Sequence, residues 1–460
     1  MRATDLRSPA KLRAAAMLLA AAACLGSACV GQQQAQPLSL PPNLPNPLLF
    51  ANGSPVTTPA EWRQRRGQLL RMFTEQMYGR MPPRPAKMRF QVYDLDPHAL
   101  GGTATREQVA ILFDGRTTGR RMDLLVYIPN AVRHPPVILG LNFWGNETVD
   151  PDPGIRIDDR WIESGKNPFV DLSCVKDHRA TSACRGIDSG RWPVRMILQA
   201  GYALATAYRG DIDPDHIGGY AQSLRSAYPQ WTKGNDNFST IAAWAWGLSR
   251  ALDYLESDPR VDGHRVVAFG WSRLGKAAVW AAATDPRFAA LISNESGAGG
   301  AKLFHHPGGE TILHLNTAFP YWFCRNFRQF NGRDTSLPFD QNEVMALVAP
   351  RPLYIASAID DPFSDPKGEF LDAVAVSSVY RFLGVEGLPT TKWPPVNQPV
   401  FGRVSYHVRS GGHSVTVFDW QQYLHFCDLY VKTKPPRLPG GTKPGAKSKR
   451  SEDEIHSNAQ

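Results

Sequence analysis

The apolar positions between residues 107 and 409 gather into short runs that longer amphipathic segments separate. The first two runs, EQVAILFDG and MDLLVYIP, predict a pair of antiparallel strands. Later runs are rich in Val, Ile, Leu and Ala without polar alternation, which is typical of strands buried on both faces. These runs are PPVILGLNF, GYALATAY, RVVAFGWS, AALISNES and RPLYIASAID, and GRVSYHVR is the last predicted strand.

Helical patterns lie between the predicted strands. In the segment STIAAWAWGLSRALDYLES, apolar residues recur at helical spacing along one face, and Ser239 suits an N-cap. This alternation indicates an α/β fold with a mostly parallel central sheet, antiparallel N-terminal strands and helices on both faces. Ligands of such folds bind at the carboxyl ends of the strands, so the residues after each run are candidates for function.

The charge of the chain lies mainly at its two ends. Seven of the nine net positive charges come from residues 1–30, with four cations against one acid, and from residues 432–460, with seven cations against three acids. The body is therefore close to neutral and shows no basic groove, which argues against a nucleic-acid partner. A hydrophobic content of 42% with 12 tryptophans is ample for a sizeable core.

The N-terminal segment predicts export from the cytoplasm to the periplasm or the medium. Residues 1–28 combine a basic start with the apolar run AAAMLLAAAACLG, which suits a signal peptide and is too short to span a bilayer comfortably. A lipid anchor at Cys29 is an alternative to soluble export, although the Leu usual three positions before such a cysteine is missing.

The remaining chain divides by composition. Residues 29–60 are rich in Gln and Pro and predict a linker or an extended arm. Residues 61–434 are expected to form a single catalytic domain, and residues 435–460 a disordered basic tail.

The cysteines indicate disulfide chemistry rather than metal binding. Cys174 and Cys184 lie ten positions apart in a polar stretch and could pair in an oxidising compartment. Cys324 and Cys427 are either buried thiols or a second bridge. Because the chain has neither a CxxC pair nor a His/Cys cluster, no metal site is expected.

The segment VVAFGWSRLGKAAVW carries the main chemical signal. An apolar run ends at Ser272 and a helical pattern follows, as in a nucleophile elbow. Gly270 fits the G-x-S-x-G pattern, but Leu274 stands at the second glycine position and Gly275 comes one residue later. The alternative is an ordinary serine N-cap of a buried helix.

Two cations follow this serine. Lys276 lies four residues after Ser272, and Arg273 directly after it, so both can reach the face of the first helical turn. They could hold an anionic transition state or a sugar acid. The alternative is a pair of surface cations whose stems pack on apolar neighbours.

A serine nucleophile needs a base and an orienting acid, which follow it in the hydrolase chain order. Glu295 lies at the tip of the next strand, and Asp360 and Asp361 lie at the tip of the strand after that. His413 follows the last strand on a glycine-rich loop and is the candidate base. His407 lies inside that strand and is expected to be structural.

The motifs GWSRLGK, SNESGAGG, DPKGEF and GGHS, in this order, resemble the bacterial glucuronoyl esterases, also called 4-O-methyl-glucuronoyl methylesterases. The resemblance covers about residues 100–430 and includes LGLNFWGNET, GYALATAYRGDIDPD, GNDNFSTIAAWAWG and PYWFCRNF. It implies an α/β-hydrolase three-layer sandwich without a cofactor. It also implies hydrolysis of esters that join glucuronic acid on xylan to alcohols of lignin.

The resemblance also implies roles for the catalytic candidates. Ser272 matches the nucleophile and His413 the base, while Arg273 matches an arginine that aids the oxyanion. Glu295 matches the acid of many members and Asp361 the acid of other bacterial members, so this chain holds both. We therefore expect Glu295, with or without Asp361, to orient the imidazole.

For the sugar, Lys276 and Glu310 match residues that bind hydroxyls of the glucuronate. Phe363 stands where the family often has a Trp that packs on the sugar, which removes an indole donor. Trp271 and Ser414 stand where fungal members carry a disulfide, so that bridge is absent here.

Two alternative functions remain open from the sequence. One is an acetyl-xylan or general carboxylesterase of the same fold, a reading that Phe363 favours. The other is an exported carbohydrate-binding protein without catalysis, against which the complete serine, acid and histidine set argues.

Overall fold

A nine-stranded sheet forms the centre of the molecule in a computed structural model that describes residues 38–166 and 169–432. Its strand order is β1-β2-β3-β7-β4-β8-β9-β10-β11, and β5 and β6 form a separate two-stranded ribbon. The strands are β1 (Arg89–His98), β2 (Ala104–Leu112), β3 (Arg121–Pro129), β4 (Val137–Asn142), β5 (Gly165–Lys166), β6 (Asp171–Leu172), β7 (Ala203–Tyr208), β8 (Val266–Trp271), β9 (Ala290–Asn294), β10 (Leu353–Ala358) and β11 (Val404–Arg409).

The sheet confirms the predicted pattern of strand directions. β1, β2 and β3 pair antiparallel, β3 pairs antiparallel with β7, and the strands from β7 to β11 are parallel. Every residue of β4, β7, β8, β9, β10 and β11 is buried, which explains their unbroken apolar runs. The sequence pattern missed β1, an edge strand that is mostly exposed and carries an irregularity between Val92 and Asp94.

Helices cover both faces of this sheet, in the three-layer arrangement expected for an α/β-hydrolase. The α-helices of six or more residues, which are labelled, are α1 (Pro59–Phe73), α2 (Val194–Gln199), α3 (Thr240–Leu255), α4 (Ser272–Thr284), α5 (Ile312–Ala318), α6 (Gln341–Ala346), α7 (Pro366–Phe382) and α8 (Val417–Tyr430). The other helical segments, which are short α, 3-10 or π turns, are Thr74–Tyr78, Ala99–Gly102, Asn146–Thr148, Ser182–Cys184, Arg209–Ile212, Gly219–Ala221, Leu224–Ala227, Pro229–Trp231, Arg325–Phe330 and Asp334–Ser336.

The helix predicted after Ser239 is α3. Ser239 is its N-cap, because its hydroxyl accepts a hydrogen bond from the backbone amide of Ala242. All of its residues are buried, including Arg250 and Asp253, which form an ion pair at 2.6 Å. α3 is therefore a core helix, and the charges of its Arg250–Asp253 pair balance each other inside the protein.

Two of the cysteine predictions are confirmed. Cys174 and Cys184 form a disulfide, and Cys324 and Cys427 are free and buried. The predicted signal peptide, Cys29 and the tail from residue 435 lie outside the described residues. The described residues from Ser39 onward belong to one unit, and α1 begins two residues before the predicted domain boundary at 61. In the part of the chain that the structure describes, no helix is long and apolar enough to cross a membrane.

Candidate active site

The strand–helix junction between β8 and α4 has the geometry of a nucleophile elbow. Ser272 is the first residue of α4, and its backbone is left-handed, with φ of 56°. A non-glycine residue in this conformation costs on the order of 1–3 kcal/mol and is retained where the surrounding structure enforces it. The N-cap is Trp271, which makes no side-chain capping bond, so the alternative of Ser272 as an ordinary N-cap is wrong.

Two glycines make room for this turn. A Cβ on Gly270 would lie 2.2 Å from the carbonyl oxygen of Leu274. A Cβ on Gly275 would lie 2.8 Å from the Cβ of Ser296. Both positions therefore require glycine, and the second glycine serves the packing of α4 against the segment after β9 although it comes one residue later than in G-x-S-x-G.

Two carboxylates face one imidazole at the carboxyl edge of the sheet. The Nδ1 atom of His413 lies 2.6 Å from Oδ2 of Asp361 and 3.1 Å from Oε2 of Glu295. Asp361 follows β10, Glu295 follows β9, and His413 lies on the loop after β11, so three adjacent strands deliver the three groups. The sequence-predicted acids and base are thus brought together.

The two acids differ in their other contacts. Glu295 accepts a hydrogen bond from Nη2 of Arg409 at 2.5 Å and another from the backbone amide of Ser414 at 2.8 Å. Asp361 accepts a bond from the backbone amide of Ser364 on the oxygen that does not face His413. Both oxygens of Glu295 bind other groups, whereas the Asp361 oxygen that faces His413 makes the shorter contact with the imidazole.

Burial and charge separate the pKa values of this group. Burial raises the pKa of Glu295 to about 7, although His413 and Arg409 oppose the rise. Burial would also raise the pKa of Asp361, but the hydrogen bonds from His413 and Ser364 hold that pKa below its usual value. Burial would lower the pKa of His413, but the hydrogen bonds and charges of both carboxylates raise it to about 9.

Arg273 is held in place by a buried carboxylate. Its Nη1 donates to Oδ2 of Asp215 at 2.8 Å, and its guanidinium lies over the rings of Phe319 and Trp322. Burial would raise the pKa of Asp215, but the charges of Arg209 and Arg273 hold that pKa well below its usual range. Arg273 Nε is buried without a hydrogen-bond partner among the described residues, which leaves a donor beside Ser272.

Two of the side chains predicted to bind the sugar contact each other. Nζ of Lys276 donates to Oε2 of Glu310 at 2.7 Å and to the carbonyl oxygen of Ser296 at 2.8 Å. Lys276 is buried, so the alternative of a surface cation is wrong. The backbone amide of Glu310 donates to the carbonyl oxygen of Phe363, whose side chain is 67% exposed. Phe363 is thus joined to Glu310 through the backbone and has an exposed ring.

A cleft of about 350 Å³ exposes the serine and the imidazole to the outside. It is lined by Phe143, Trp144, Glu163, Phe169, Arg209, Trp271, Ser272, Arg273 and His413. A wider groove of about 1040 Å³ lies around Arg120 and Arg160, but neither Ser272 nor His413 lines it. The chemistry therefore belongs to the smaller and more aromatic cleft.

The same three residues, Glu295, Asp361 and His413, are also the candidate ligands for a metal ion. Within residues 38–166 and 169–432, they are the set of acidic and histidine side chains whose ligand atoms lie within 4.8 Å of one another. A cation would have to compete with Arg409 and Ser414 for both oxygens of Glu295. The contacts fit a hydrogen-bonded acid–base set better than metal coordination.

Sequence reasoning did not single out Asp215, Trp322 or Arg409. Asp215 lies in the segment after β7, where its acidic repeat DIDPD is a visible signal. Nε1 of Trp322 donates to Asp215 at 2.8 Å across more than a hundred positions of sequence. Such a contact has no local signature. His407 is structural as predicted, because it is buried between Tyr354 and Asp419.

Comparison of the sequence with protein families gives one match at this site. The profile of a family described as "Glucuronyl esterase, fungi" matches residues 213–384. "Carbohydrate esterase MZ0003" from an unknown prokaryotic organism is 42% identical over 84% of this chain and 89% of its own length. The 4-O-methyl-glucuronoyl methylesterase of Schizophyllum commune is 26% identical over 74% of both chains.

Solved structures give the same picture. The glucuronoyl esterase from Solibacter usitatus is 44% identical, with a TM-score of 0.78 over 84% of this chain and 97% of that chain. A structure titled as a promiscuous CE15 esterase from a marine bacterial metagenome is 41% identical, with a TM-score of 0.78 over 86% of this chain and 98% of that chain. These similarities confirm the α/β-hydrolase fold.

Proposed function

The chain belongs to the glucuronoyl esterase family of carboxylic ester hydrolases, and on that premise we propose that it hydrolyses esters of glucuronic and 4-O-methyl-glucuronic acid through an acyl-enzyme on Ser272. The observation that carries the mechanism is the convergence of Ser272 and His413 on one cleft, with two acids behind the imidazole.

In the first step, neutral His413 takes the proton of Ser272 while the serine oxygen attacks the ester carbonyl. The left-handed turn at Ser272 presents that oxygen above the sheet. The uncapped amides at the start of α4 and the guanidinium of Arg273 face the oxyanion that forms. Loss of one such donor typically costs about 10²–10³ in rate.

In the second step, water attacks the acyl-enzyme, and His413 again acts as the base. Asp361 orients the imidazole and stabilises its charged form, because it makes the shorter contact and its pKa is lowered. Glu295 adds negative charge behind the same ring while it fastens the loop at Ser414. This assignment moves the main orienting role from Glu295 to Asp361.

The substrate is proposed from the names of the relatives and from the polar wall beside the serine. Lys276 fixes Glu310, whose carboxylate is a suitable acceptor for sugar hydroxyls, and Phe363 offers an exposed ring next to them. We further propose that the enzyme is exported, on the strength of the signal-like residues 1–28, with lignin–glucuronoxylan esters as its targets.

A second candidate function is a broader carboxylesterase that also accepts acetyl or simple acyl esters. It is favoured by the 41% identical structure whose title calls that esterase promiscuous. The replacement of an expected Trp by Phe363 also favours it, since a phenyl ring has no hydrogen-bond donor for the sugar.

The mechanism is tested on Ser272→Ala with benzyl glucuronate as substrate. We expect loss of hydrolysis and of labelling by a fluorophosphonate, because both reactions need the serine oxygen. Ser336→Ala is the control, since Ser336 is exposed and does not line the cleft. Turnover retained in Ser272→Ala, with an unchanged unfolding temperature, would place the nucleophile elsewhere.

A further inference from the structure

Arg409 is a buried cation beside the proposed acid–base set. It is the last residue of β11, four positions before His413, and its side chain is 3% exposed. An arginine is rarely buried unless acceptors surround its guanidinium, because desolvation of a charge is costly. The acceptors around Arg409 therefore indicate what it holds.

The guanidinium of Arg409 binds the residues immediately before and after His413, the proposed base. Its Nη2 donates to the carbonyl oxygens of Gly412 at 3.0 Å and Ser414 at 2.6 Å, the two residues that flank His413. Nη1 donates to the carbonyl oxygen of Ser410 at 3.0 Å. One side chain thus reaches three carbonyl groups of the five-residue loop from 410 to 414.

Two carboxylates balance the charge of this guanidinium. Nε of Arg409 donates to Asp419 at 2.8 Å, and Nη2 donates to Glu295 at 2.5 Å. Asp419 belongs to α8 and Glu295 follows β9, so Arg409 ties the loop to elements on both of its sides. The second oxygen of Glu295 accepts a hydrogen bond from the backbone amide of Ser414. Arg409 and Glu295 therefore bind each other and both bind Ser414.

The loop has few other means of holding its shape. Residues 410–412 are exposed, and Gly411 has φ of 88°. Two successive glycines give a backbone that loses much conformational entropy when it is ordered. Among the described residues, the one disulfide joins Cys174 and Cys184 and includes no residue of this loop. Other contacts are the backbone bond from Asp360 to Gly411, the bond from Asn294 to Ser414, and the bonds between Asn397 and Ser410 at the start of the loop.

We propose that Arg409 is a positioning residue of the esterase: it fixes the loop that carries His413 and holds one oxygen of Glu295, so that Asp361 makes the shorter contact with the base. The inference rests on the proposed function, since it assumes that His413 is the base. It adds a cation to the catalytic apparatus that touches neither substrate nor nucleophile.

The primary test is Arg409→Gln, with Arg65→Gln as the matched control. Arg65 also forms a buried ion pair, with Glu343 at 2.8 Å, but neither residue lines the cleft. We expect both variants to lower the unfolding temperature. At a temperature where both are folded, Arg409→Gln should lower kcat by about 10- to 100-fold with little change in KM, because misplacement of a catalytic group by about 1 Å has such effects. Arg65→Gln should keep its kcat.

The charge balance is tested by the double variant Arg409→Gln/Glu295→Gln. Arg409→Gln alone leaves Glu295 buried without its cation, whereas the double variant removes both charges together. We expect the combined loss in kcat to be clearly smaller than the product of the two single losses, because the two residues act as one unit. Arg409→Lys should fall between wild type and Arg409→Gln, since an ammonium cannot reach all the acceptors of a guanidinium fork.

The rate of fluorophosphonate labelling at Ser272 separates failure of this inference from failure of the proposed substrate. If wild type is labelled but does not hydrolyse benzyl glucuronate, the substrate proposal fails, and the labelling rates of the variants still test Arg409. The inference is overturned if Arg409→Gln and Arg65→Gln retain equal kcat or labelling rates, or if the two losses in the double variant simply multiply. If wild type is not labelled at Ser272, both proposals fall together.

Discussion

Two residues of the proposed catalytic apparatus have a strained backbone. Ser272 and Glu295 follow the neighbouring strands β8 and β9, and both are left-handed, with φ of 56° and 44°. Neither residue type favours this region, so the surrounding contacts enforce it. The turns aim a hydroxyl and a carboxylate over the same edge of the sheet, which local sequence preferences alone would not produce.

Because Asp361 and Glu295 have different contacts, substitutions of these two acids should differ in their effects on kcat and on thermal stability. Asp361→Asn should lower kcat by about 10²–10⁴-fold, because an amide neither orients nor stabilises the imidazolium as a carboxylate does. Glu295→Gln should lose less kcat and more thermal stability, since Glu295 also holds Ser414 and Arg409. Steady-state kinetics with benzyl glucuronate and thermal unfolding measure both quantities. The opposite order of kcat values would restore Glu295 as the orienting acid.

The raised pKa of His413 predicts the direction of the pH dependence. The base must be neutral, so kcat/KM should rise with pH as His413 loses its proton, whose pKa in the free enzyme is raised to about 9. Asp361→Asn removes the carboxylate that stabilises the charged ring. The pKa of His413 should then fall, and the acidic limb of the profile should move to lower pH. An unmoved limb in pH profiles of kcat/KM would show that Asp361 does not govern His413.

Glu310 predicts a change confined to uronate substrates. Glu310→Gln keeps the size of the side chain but weakens its hydrogen bonds to sugar hydroxyls, so kcat/KM for benzyl glucuronate should fall about tenfold. Benzyl acetate lacks those hydroxyls, and its kcat/KM should not change. Glu386→Gln is the control, because Glu386 is exposed and is not the carboxylate that pairs with Lys276. Equal losses on both substrates would mean that Glu310 supports the fold around Lys276 rather than the sugar.

At the scale of elements, strands buried on both faces were the most predictable feature. β8 and β10 have apolar runs without alternation, and their tips carry Ser272 and Asp361. β1 was missed because it is an exposed edge strand whose residues mix both polarities. Edge strands gain less from apolar burial, so their sequences are less constrained. The loop after β11 was predicted to bring His413 to the site, but its anchoring by Arg409 has no periodic signal.

The elbow predicts that an added methyl group at Gly270 disturbs both stability and catalysis. Gly270→Ala would place its Cβ against backbone of α4, so the turn must shift, at a cost of about 1–3 kcal/mol. Because the shift moves Ser272, kcat should also fall. Gly67→Ala in α1 is the control: its Cβ meets one arginine tip at 3.8 Å, and it should stabilise the helix by up to about 1 kcal/mol. Denaturant unfolding and kcat together check the pair, and an active, stable Gly270→Ala would contradict the elbow geometry.

At the scale of the whole molecule, topology brings together residues that the sequence separates. The parallel order β8-β9-β10-β11 places the tips of four strands side by side, which is why Ser272 and His413 meet although they are 141 positions apart. This convergence was predictable from the fold class, since active sites lie at the carboxyl edge of such sheets. The pairing of Asp215 with Arg273 and Trp322 was not, because it depends on loops that no periodic pattern positions.

The two walls of the site predict its substrate preference. The Lys276–Glu310 pair offers hydrogen bonds to an acyl group that carries hydroxyls. The cleft around Ser272 is largely aromatic and therefore does not require polar groups on the alcohol part of the ester. A hydrogen bond to a charged group contributes about 1.5–3 kcal/mol, so benzyl glucuronate should exceed benzyl acetate in kcat/KM by about 10- to 100-fold. The two esters share one leaving group, so the ratio reports the acyl side alone. A ratio near one would favour the broader carboxylesterase. In that case Phe363→Trp should raise the ratio, because the indole at this exposed position adds a hydrogen-bond donor for the sugar.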